Sequence, residues 1–470
     1  MFKIQLKKIL VLLPDGVGLR NFAYSNFLEE GKKQGFQVLF WNQTPFPIKN
    51  ELDFDEIELP ILPLHPFTDI FKRARKEIEI RQFYKKTSNK VYFSYLFSPS
   101  NKGLKNKIKN LFITLISFLF NSEKGLELIR ILIKRLERKT LNYTKATEQL
   151  IQQQPDLVFC TNQRASQSIA PILAAQDLNI PTACFIFSWD NLPKATMVIE
   201  TDFYMVWSDY MKTELQYYYP YITDNQIKTT GTPQFENHTN PSYIIPKEEF
   251  FELYQLDKTK KYICFSGDDI TTSPYDQCYL EDVAKAVREL NSKGQNIGII
   301  FRRSPADSSN RYDAVIEKFQ QEISVINPLW NNFGNSWNLK MPLKSDTELL
   351  ISIISHTELV INVGSTMVFD FITQNKPCVF INYNPQNINS DKWDIKNIYK
   401  FIHFNSMPNK KSVFWIDSRQ ELKNVLITLL GLEEKNLGNT REWFKIINKH
   451  PIENASYRIW ETINNIDNNI

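Results

Sequence analysis

Gly364-Ser365-Thr366, Asp370 and the pair Arg302-Arg303 are the residues whose types and spacing suit chemistry on a nucleoside diphosphate. The Gly364–Thr366 turn follows a short apolar run, Leu359–Val363, and opens an amphipathic segment, Met367–Asn375, that Pro377 stops. A small-residue turn feeding a helix N-terminus offers backbone N–H groups and the positive end of a dipole, which suits a diphosphate. Asp370 stands one helical turn after Thr366 on the same face, where its carboxylate can accept hydrogen bonds from ribose hydroxyls. Arg302 and Arg303 end a second run, Ile297–Arg302, and two guanidinium groups there suit a departing diphosphate. A buried or interdomain ion pair is the structural use of the same residues. Ser266, in Ser266-Gly267-Asp268-Asp269, ends a third run and can line the same pocket. The plain alternative for 359–384 is any β-α-β unit with a serine cap.

Positioning these groups takes a regular alternation of strands and helices. Ile9–Leu13 reads as a first buried strand, Phe22–Gly35 as a helix, Phe36–Trp41 as the next strand and Ile57–Leu62 as another. Residues 66–150 form a long, basic, mostly helical section. The β-α rhythm returns with Leu157–Cys160, Ser166–Leu178, Thr182–Phe187, Phe203–Trp207 and Tyr210–Tyr219. A second half supplies Tyr262–Ser266, Ile297–Arg302, Ser324–Asn327, Leu359–Val363 and Cys378–Asn382 as strands. The expected organisation is an α/β chain with two facing Rossmann-like domains. The first spans 1–235 with the basic helical insertion 66–150, and the second spans 260–440. A C-terminal helical tail, 441–470, crosses back to the first domain.

Composition narrows the classes. The net charge of +4 over 470 residues is no nucleic-acid signature. Its distribution is uneven: residues 71–140 carry 18 Lys or Arg against 5 Glu and no Asp, a balance of +13 that leaves −9 for the rest. With its apolar runs Val91–Phe97 and Leu111–Phe120, this block suits a helix pair on an anionic bilayer, or else a solvated insertion. Leu111–Phe120 is too short to cross roughly 30 Å of hydrocarbon. The apolar run after Lys3, Lys7 and Lys8 spans about five residues, shorter than a signal core. Five cysteines without CxxC or framework spacing fit a reducing cytoplasm. No cofactor is expected. Gly16-Val17-Gly18 lacks the third glycine of a dinucleotide loop, which is Asn21, and Trp41-Asn42 ends the second strand without an acid. No metal is expected either: Asp53-Phe54-Asp55 reads as a solvated loop, and the five histidines have no zinc-like spacing. His356, just before the Leu359 strand, and His65 are the histidines considered for the site. The GxSxG marker of a hydrolase is absent.

The stretch LVINVGSTMVFDFITQNKPCVFINYN, with SWDN at Ser188–Asn191 and FRRSPADSSNRYD at Phe301–Asp313, resembles GT-B fold glycosyltransferases of the UDP-glycosyltransferase/glycogen phosphorylase-like superfamily. The likeness is to bacterial surface-polysaccharide sugar transferases and to CDP-glycerol glycerophosphotransferases. Asp370 stands seven residues before Pro377, as an acidic residue does in many of those donor sites, while Asn362 replaces the second acid of retaining members. The resemblance implies a donor site at Ser266, Arg302, Arg303, Gly364, Ser365, Thr366 and Asp370. It further implies an inverting, metal-independent transfer from a nucleotide sugar, itself a substrate, to a glycan or lipid-linked acceptor. Asp15 sits where inverting members place a general base, with Asp190 as its rival; capping a turn is the other use of Asp15. The remaining readings are a polyol-phosphate transferase, a nucleotide-sugar 2-epimerase and a non-catalytic scaffold. The expected location is the cytoplasm, peripheral on the inner face of the plasma membrane.

Overall fold

The computed structural model describes residues 6–96, 103–334, 339–386, 393–432 and 435–467. They divide into two compact units, the first drawn from Met1–Pro233, Phe333–Met341 and Ile447–Ile470, the second from Gln234–Asn332 and Pro342–Ile446.

The first unit holds a seven-stranded sheet of β1 (Lys7–Leu13), β2 (Phe36–Asn42), β3 (Glu56–Glu58), β4 (Leu157–Cys160), β5 (Thr182–Phe185), β6 (Phe203–Val206) and β7 (Ile227–Thr229). Its order is β3-β2-β1-β4-β5-β6-β7, and every pair is parallel. The runs ILVLL, LVFC and TACF are buried throughout, as strands covered on both faces must be. Between the first two strands lies α1 (Phe27–Lys33), and between β3 and β4 lie α2 (Thr68–Thr87), α3 (Leu104–Leu119), α4 (Glu123–Glu137) and α5 (Leu141–Gln153). Ser122 and Thr140 cap α4 and α5 by accepting from the Gly125 and Tyr143 amides. Helix α6 (Asp209–Tyr218) follows β6.

The second unit holds β8 (Lys261–Ser266), β9 (Ile297–Arg302), β10 (Ile323–Val325), β11 (Val360–Asn362), β12 (Cys378–Ile381) and β13 (Phe414–Ile416), ordered β10-β9-β8-β11-β12-β13. Its strands also pair in parallel. The first strand of each sheet therefore sits inside it, with the chain leaving to one side and returning on the other. That arrangement makes a topological switch point, between β1 and β4 and again between β8 and β11. Helix α7 (Asp276–Asn291) links β8 to β9, and α8 (Met367–Ile372) links β11 to β12. The last helix, α9 (Ala455–Asp467), belongs to the first unit. Its Trp460 stacks on Phe27 and Phe36 at 4.6 and 4.9 Å and donates to the Phe27 carbonyl at 2.7 Å.

Several elements differ from the sequence expectation. The helix expected over Phe22–Gly35 is interrupted at 24–26, between a π-helical turn over Leu19–Ala23 and the α-helix that starts at Phe27, where the Ser25 hydroxyl accepts the Phe27 amide. The strand expected over Ile57–Leu62 ends at Glu58, two residues before Pro60. The tail is two helices, Gly438–Ile447 and Ala455–Asp467, divided around Pro451. Lys102 and Phe97 lie outside the described residues. No helix among the described residues is long and apolar enough to cross a membrane.

Candidate functional site

Asp15 stands just past the C-terminal end of β1, at the first switch point. Its Oδ1 accepts from the Val17 and Gly18 amides at 3.0 and 2.9 Å, and Oδ2 accepts from Asn162 Nδ2 of the loop after β4. Gly18 is required by close approach, since a Cβ there would lie 2.4 Å from Thr161 Oγ1. Asp15 is only 6% exposed. Three donors converge on this buried carboxylate, so the capping use named above is realised.

Asp190 lies in the loop after β5. It pairs with Lys194, accepts from Asn191 Nδ2 at 2.7 Å, and keeps 23% of its side chain exposed. The two acids belong to one polar network, because Gln163, next to Asn162, donates to Asn191 Oδ1 at 3.3 Å and accepts the Phe187 amide at 2.8 Å. Trp189 is buried.

Sequence reasoning missed Glu214 on α6. It is buried, and its Oε2 has no hydrogen-bond partner among the described residues. Burial, and after it the negative charge of Asp190, pushes its pKa from 4.5 up to about 8. The folded chain then holds a proton that the unfolded chain releases. This group's contribution is therefore full below about pH 4.5 and is lost as pH rises through about 8. Glu214→Gln should flatten the fall in melting temperature between those limits; an unchanged pH profile would show that Glu214 does not titrate there.

In the second unit the register sets Ser266 opposite Arg302 at the ends of β8 and β9. Arg302 is buried, and its Nη2 donates to both Asp346 oxygens at 2.8 and 2.9 Å; Nη1 is buried without a hydrogen-bond partner among the described residues. Asp346 also accepts from the Leu329 amide and Trp330 Nε1 at 2.8 and 2.7 Å. The ion-pair use of Arg302 is thus realised. Arg303 turns the other way, donating to the Ser309 carbonyl and lying 3.3 Å from Asp313.

Gly364 takes φ +64°, a left-handed turn that glycine adopts without strain, and Ser365 N donates to Asn362 Oδ1 at 2.9 Å. Helix α8, which this turn opens, has only six residues. Its Asp370 is buried, with Oδ1 2.9 Å from His238 Nε2. His238 was not legible as a partner, being 132 residues away.

Across the switch point from Gly364, the loop after β8 carries a buried carboxyl cluster. Asp276 Oδ2 accepts from the Asp268 amide at 3.1 Å and from Tyr312 at 2.7 Å, while its Oδ1 has no partner among the described residues. Burial is the main cause raising the pKa of both Asp268 and Asp276, and each feels further negative charge or hydrogen bonds around it. Arg311 holds this loop through the Asp268 carbonyl at 2.6 Å and pairs with Asp307 at 2.7 Å.

No protein-family model and no curated protein matches the chain. Solved structures do. A UDP-N-acetylglucosamine 2-epimerase from Listeria monocytogenes superposes with a TM-score of 0.57 at 10% identity, over 99% of this chain and 98% of that one. The S. aureus MnaA–UDP co-structure gives 0.53 at 12%, over 99% and 98%. A glycosyltransferase from Rickettsia africae gives 0.51 at 10%, over 98% and 99%. At such identities the likeness is one of fold. The chain has a two-unit α/β fold of the GT-B kind, each unit built on a parallel sheet.

Proposed function

We propose that this chain is a glycosyltransferase that moves a sugar from a nucleotide donor to a glycan or lipid-linked acceptor of cell-surface polysaccharide synthesis. The observation that carries the reading is the chemistry at the two switch points, where ligands of open α/β sheets bind. The second offers a nucleotide the Gly364–Thr366 turn, Ser266 and the orphan Arg302 Nη1; the first offers an acceptor the Asp15–Asn162–Asp190 network. A buried N–H without a partner costs about 1–3 kcal/mol, and an anion there offsets that cost. Inverting transfer needs a base for the acceptor hydroxyl and charge stabilisation for the leaving diphosphate, and neither step calls on a metal. Asp190 takes the base role ahead of Asp15, whose oxygens are committed to the cap.

A panel of nucleotides in a thermal-shift assay tests the donor site, since a ligand at 100 times its Kd stabilises by roughly 2.7 kcal/mol. At least one nucleoside diphosphate should raise the melting temperature. Asp370→Ala should weaken that nucleotide by roughly 1.5–3 kcal/mol if the carboxylate holds the ribose. Stabilisation by no nucleotide would sink the transferase reading; unchanged affinity in a folded Asp370→Ala chain would remove only the ribose role. A 2-epimerase is the second reading, because the solved structures that share this fold include UDP-N-acetylglucosamine 2-epimerases. Conversion of a nucleotide sugar to its epimer without any acceptor would decide for it.

We further place the enzyme on an anionic membrane surface through α3. Leu104, Ile108, Leu111, Leu115 and Phe118 recur at helical spacing and are 46–75% exposed, an apolar stripe costly to leave in water. Lys105 and Lys107 beside them are exposed, whereas Lys109 pairs with Asp69 at 2.6 Å. Each basic residue near an anionic surface contributes about 1 kcal/mol, so Lys105→Gln with Lys107→Gln should weaken binding to acidic vesicles by roughly 2 kcal/mol. Phe118→Asp should release the protein at any salt concentration. Equal sedimentation with neutral and acidic vesicles, or none with either, would leave α3 a plain structural helix.

A further inference from the structure

Helix α2 carries Lys72, Arg73, Arg75, Lys76 and Glu79 within two turns, a spacing that reads as a solvated charged face. In the fold these side chains instead wall a cavity of about 160 Å³ inside the first unit. That is many times the roughly 10–15 Å³ one water needs. Arg164, of the loop after β4, and the segment Ala195–Val198, from the loop after β5, close its other side.

The charge balance of the wall is one-sided. Five cations line it, against Glu79 in the wall and Asp69 and Glu200 beside it, an excess of two. Glu79 is committed to Arg75 at 2.8 Å, and Arg75 also reaches Tyr221 at 3.1 Å, so that pair is structural. Asp69 is shared by Lys72, Arg73 and Lys109 at 3.7, 3.0 and 2.6 Å. Among the described residues no carboxylate lies within ion-pair distance of Arg164, whose guanidinium lies 5.3 Å from the Phe187 ring. Burial, and then the positive charges of Arg164 and Lys194, pulls the Lys76 ammonium down to about 8. An anion in the cavity would relieve this crowding.

The other character of the wall is apolar, from Ile133, Ile169, Met197 and Val198. Guanidinium and ammonium donors facing hydrocarbon suit an anion that carries an organic group rather than a bare inorganic ion. The cavity is tied to the candidate acceptor network. Lys72 Nζ donates to Ser166 Oγ at 2.9 Å and the Val198 amide to the Gln163 carbonyl at 3.0 Å. Both partners belong to the loop whose Asn162 holds Asp15.

We infer that this cavity binds the phosphate or diphosphate ester of the acceptor, with Lys76 and Arg164 on the phosphoryl oxygens and Ile133, Ile169 and Met197 against the organic part. The acceptor assignment rests on the transferase reading above; the ester site itself does not.

The test is calorimetric titration of the full chain with farnesyl diphosphate and, separately, glycerol 3-phosphate. Each is repeated on Lys76→Gln/Arg164→Gln, which alters a half-buried and an exposed side chain and leaves the Arg75 network intact. At least one ester should bind, and the double variant should weaken it tenfold or more while keeping its circular dichroism and its nucleotide affinity. Preference for farnesyl diphosphate would identify a lipid source, preference for glycerol 3-phosphate a soluble or polyol-phosphate one. Binding of neither ester, or binding that the double variant leaves unchanged, overturns the site. Ester binding at this cavity in a chain that no nucleotide stabilises would overturn the transferase reading and leave the ester site standing.

Discussion

Asp190→Asn is expected to lower turnover by about 10²–10⁴-fold, the usual share of general-base assistance, while leaving donor affinity nearly intact. Asp190, in the loop after β5 next to the first switch point, is the acid there that keeps solvent access, with 23% of its side chain exposed. Its ion pair with Lys194 holds the carboxylate in place without covering it. Asp15→Asn should behave differently. It disturbs a buried carboxylate on which two amides and Asn162 converge, so its main cost is stability, about 0.5–2 kcal/mol for a lost cap. Steady-state kinetics with melting curves on both variants separates the two roles. Normal turnover in Asp190→Asn with a collapse in Asp15→Asn would return the base to Asp15. Normal turnover in both would move the search to His65 and His356.

What was legible in the sequence follows from which physics is local. Strands β1, β8 and β9 show as the short apolar runs ILVLL, YICF and IGIIF, and Pro377 ends the segment that follows Gly364. The two parallel sheets follow from their alternation with helices. Edge strands β7 and β13 span three residues each, too few for any periodicity to show. The site divides the same way. Gly364 and Asp15 announce themselves because turn chemistry depends on near neighbours. The His238–Asp370 pair, the Asp276–Tyr312 bond and the cavity between α2 and Arg164 join residues far apart in the chain, and no spacing rule reaches them. Arg302 shows the limit most plainly. Two arginines at a strand end look alike in sequence, yet one turns inward to Asp346 and the other outward to the Ser309 loop.

That inward turn predicts the largest loss of stability. Asp346→Ala should destabilise the second unit by about 3–5 kcal/mol, read from denaturant unfolding. The substitution strands an arginine whose charge cannot be neutralised, buried at 6% exposure. It also removes the acceptor of the Leu329 amide and of Trp330 Nε1. Asp346→Asn should cost less, because an amide oxygen can still accept some of those bonds while the charge pairing is lost. Replacing both partners with apolar residues of similar size should recover much of the loss, since the penalty comes chiefly from the charge left alone. The double replacement then bears on function. If nucleotide affinity survives it, Arg302 serves the fold and the diphosphate rests on the Gly364–Thr366 turn. If affinity falls while stability is restored, the orphan Nη1 of Arg302 is a donor to the nucleotide, and Asp346 is the residue that holds it there. A loss below about 1 kcal/mol in Asp346→Ala would contradict the buried pair itself, because a loss that small is the range of a solvent-exposed ion pair.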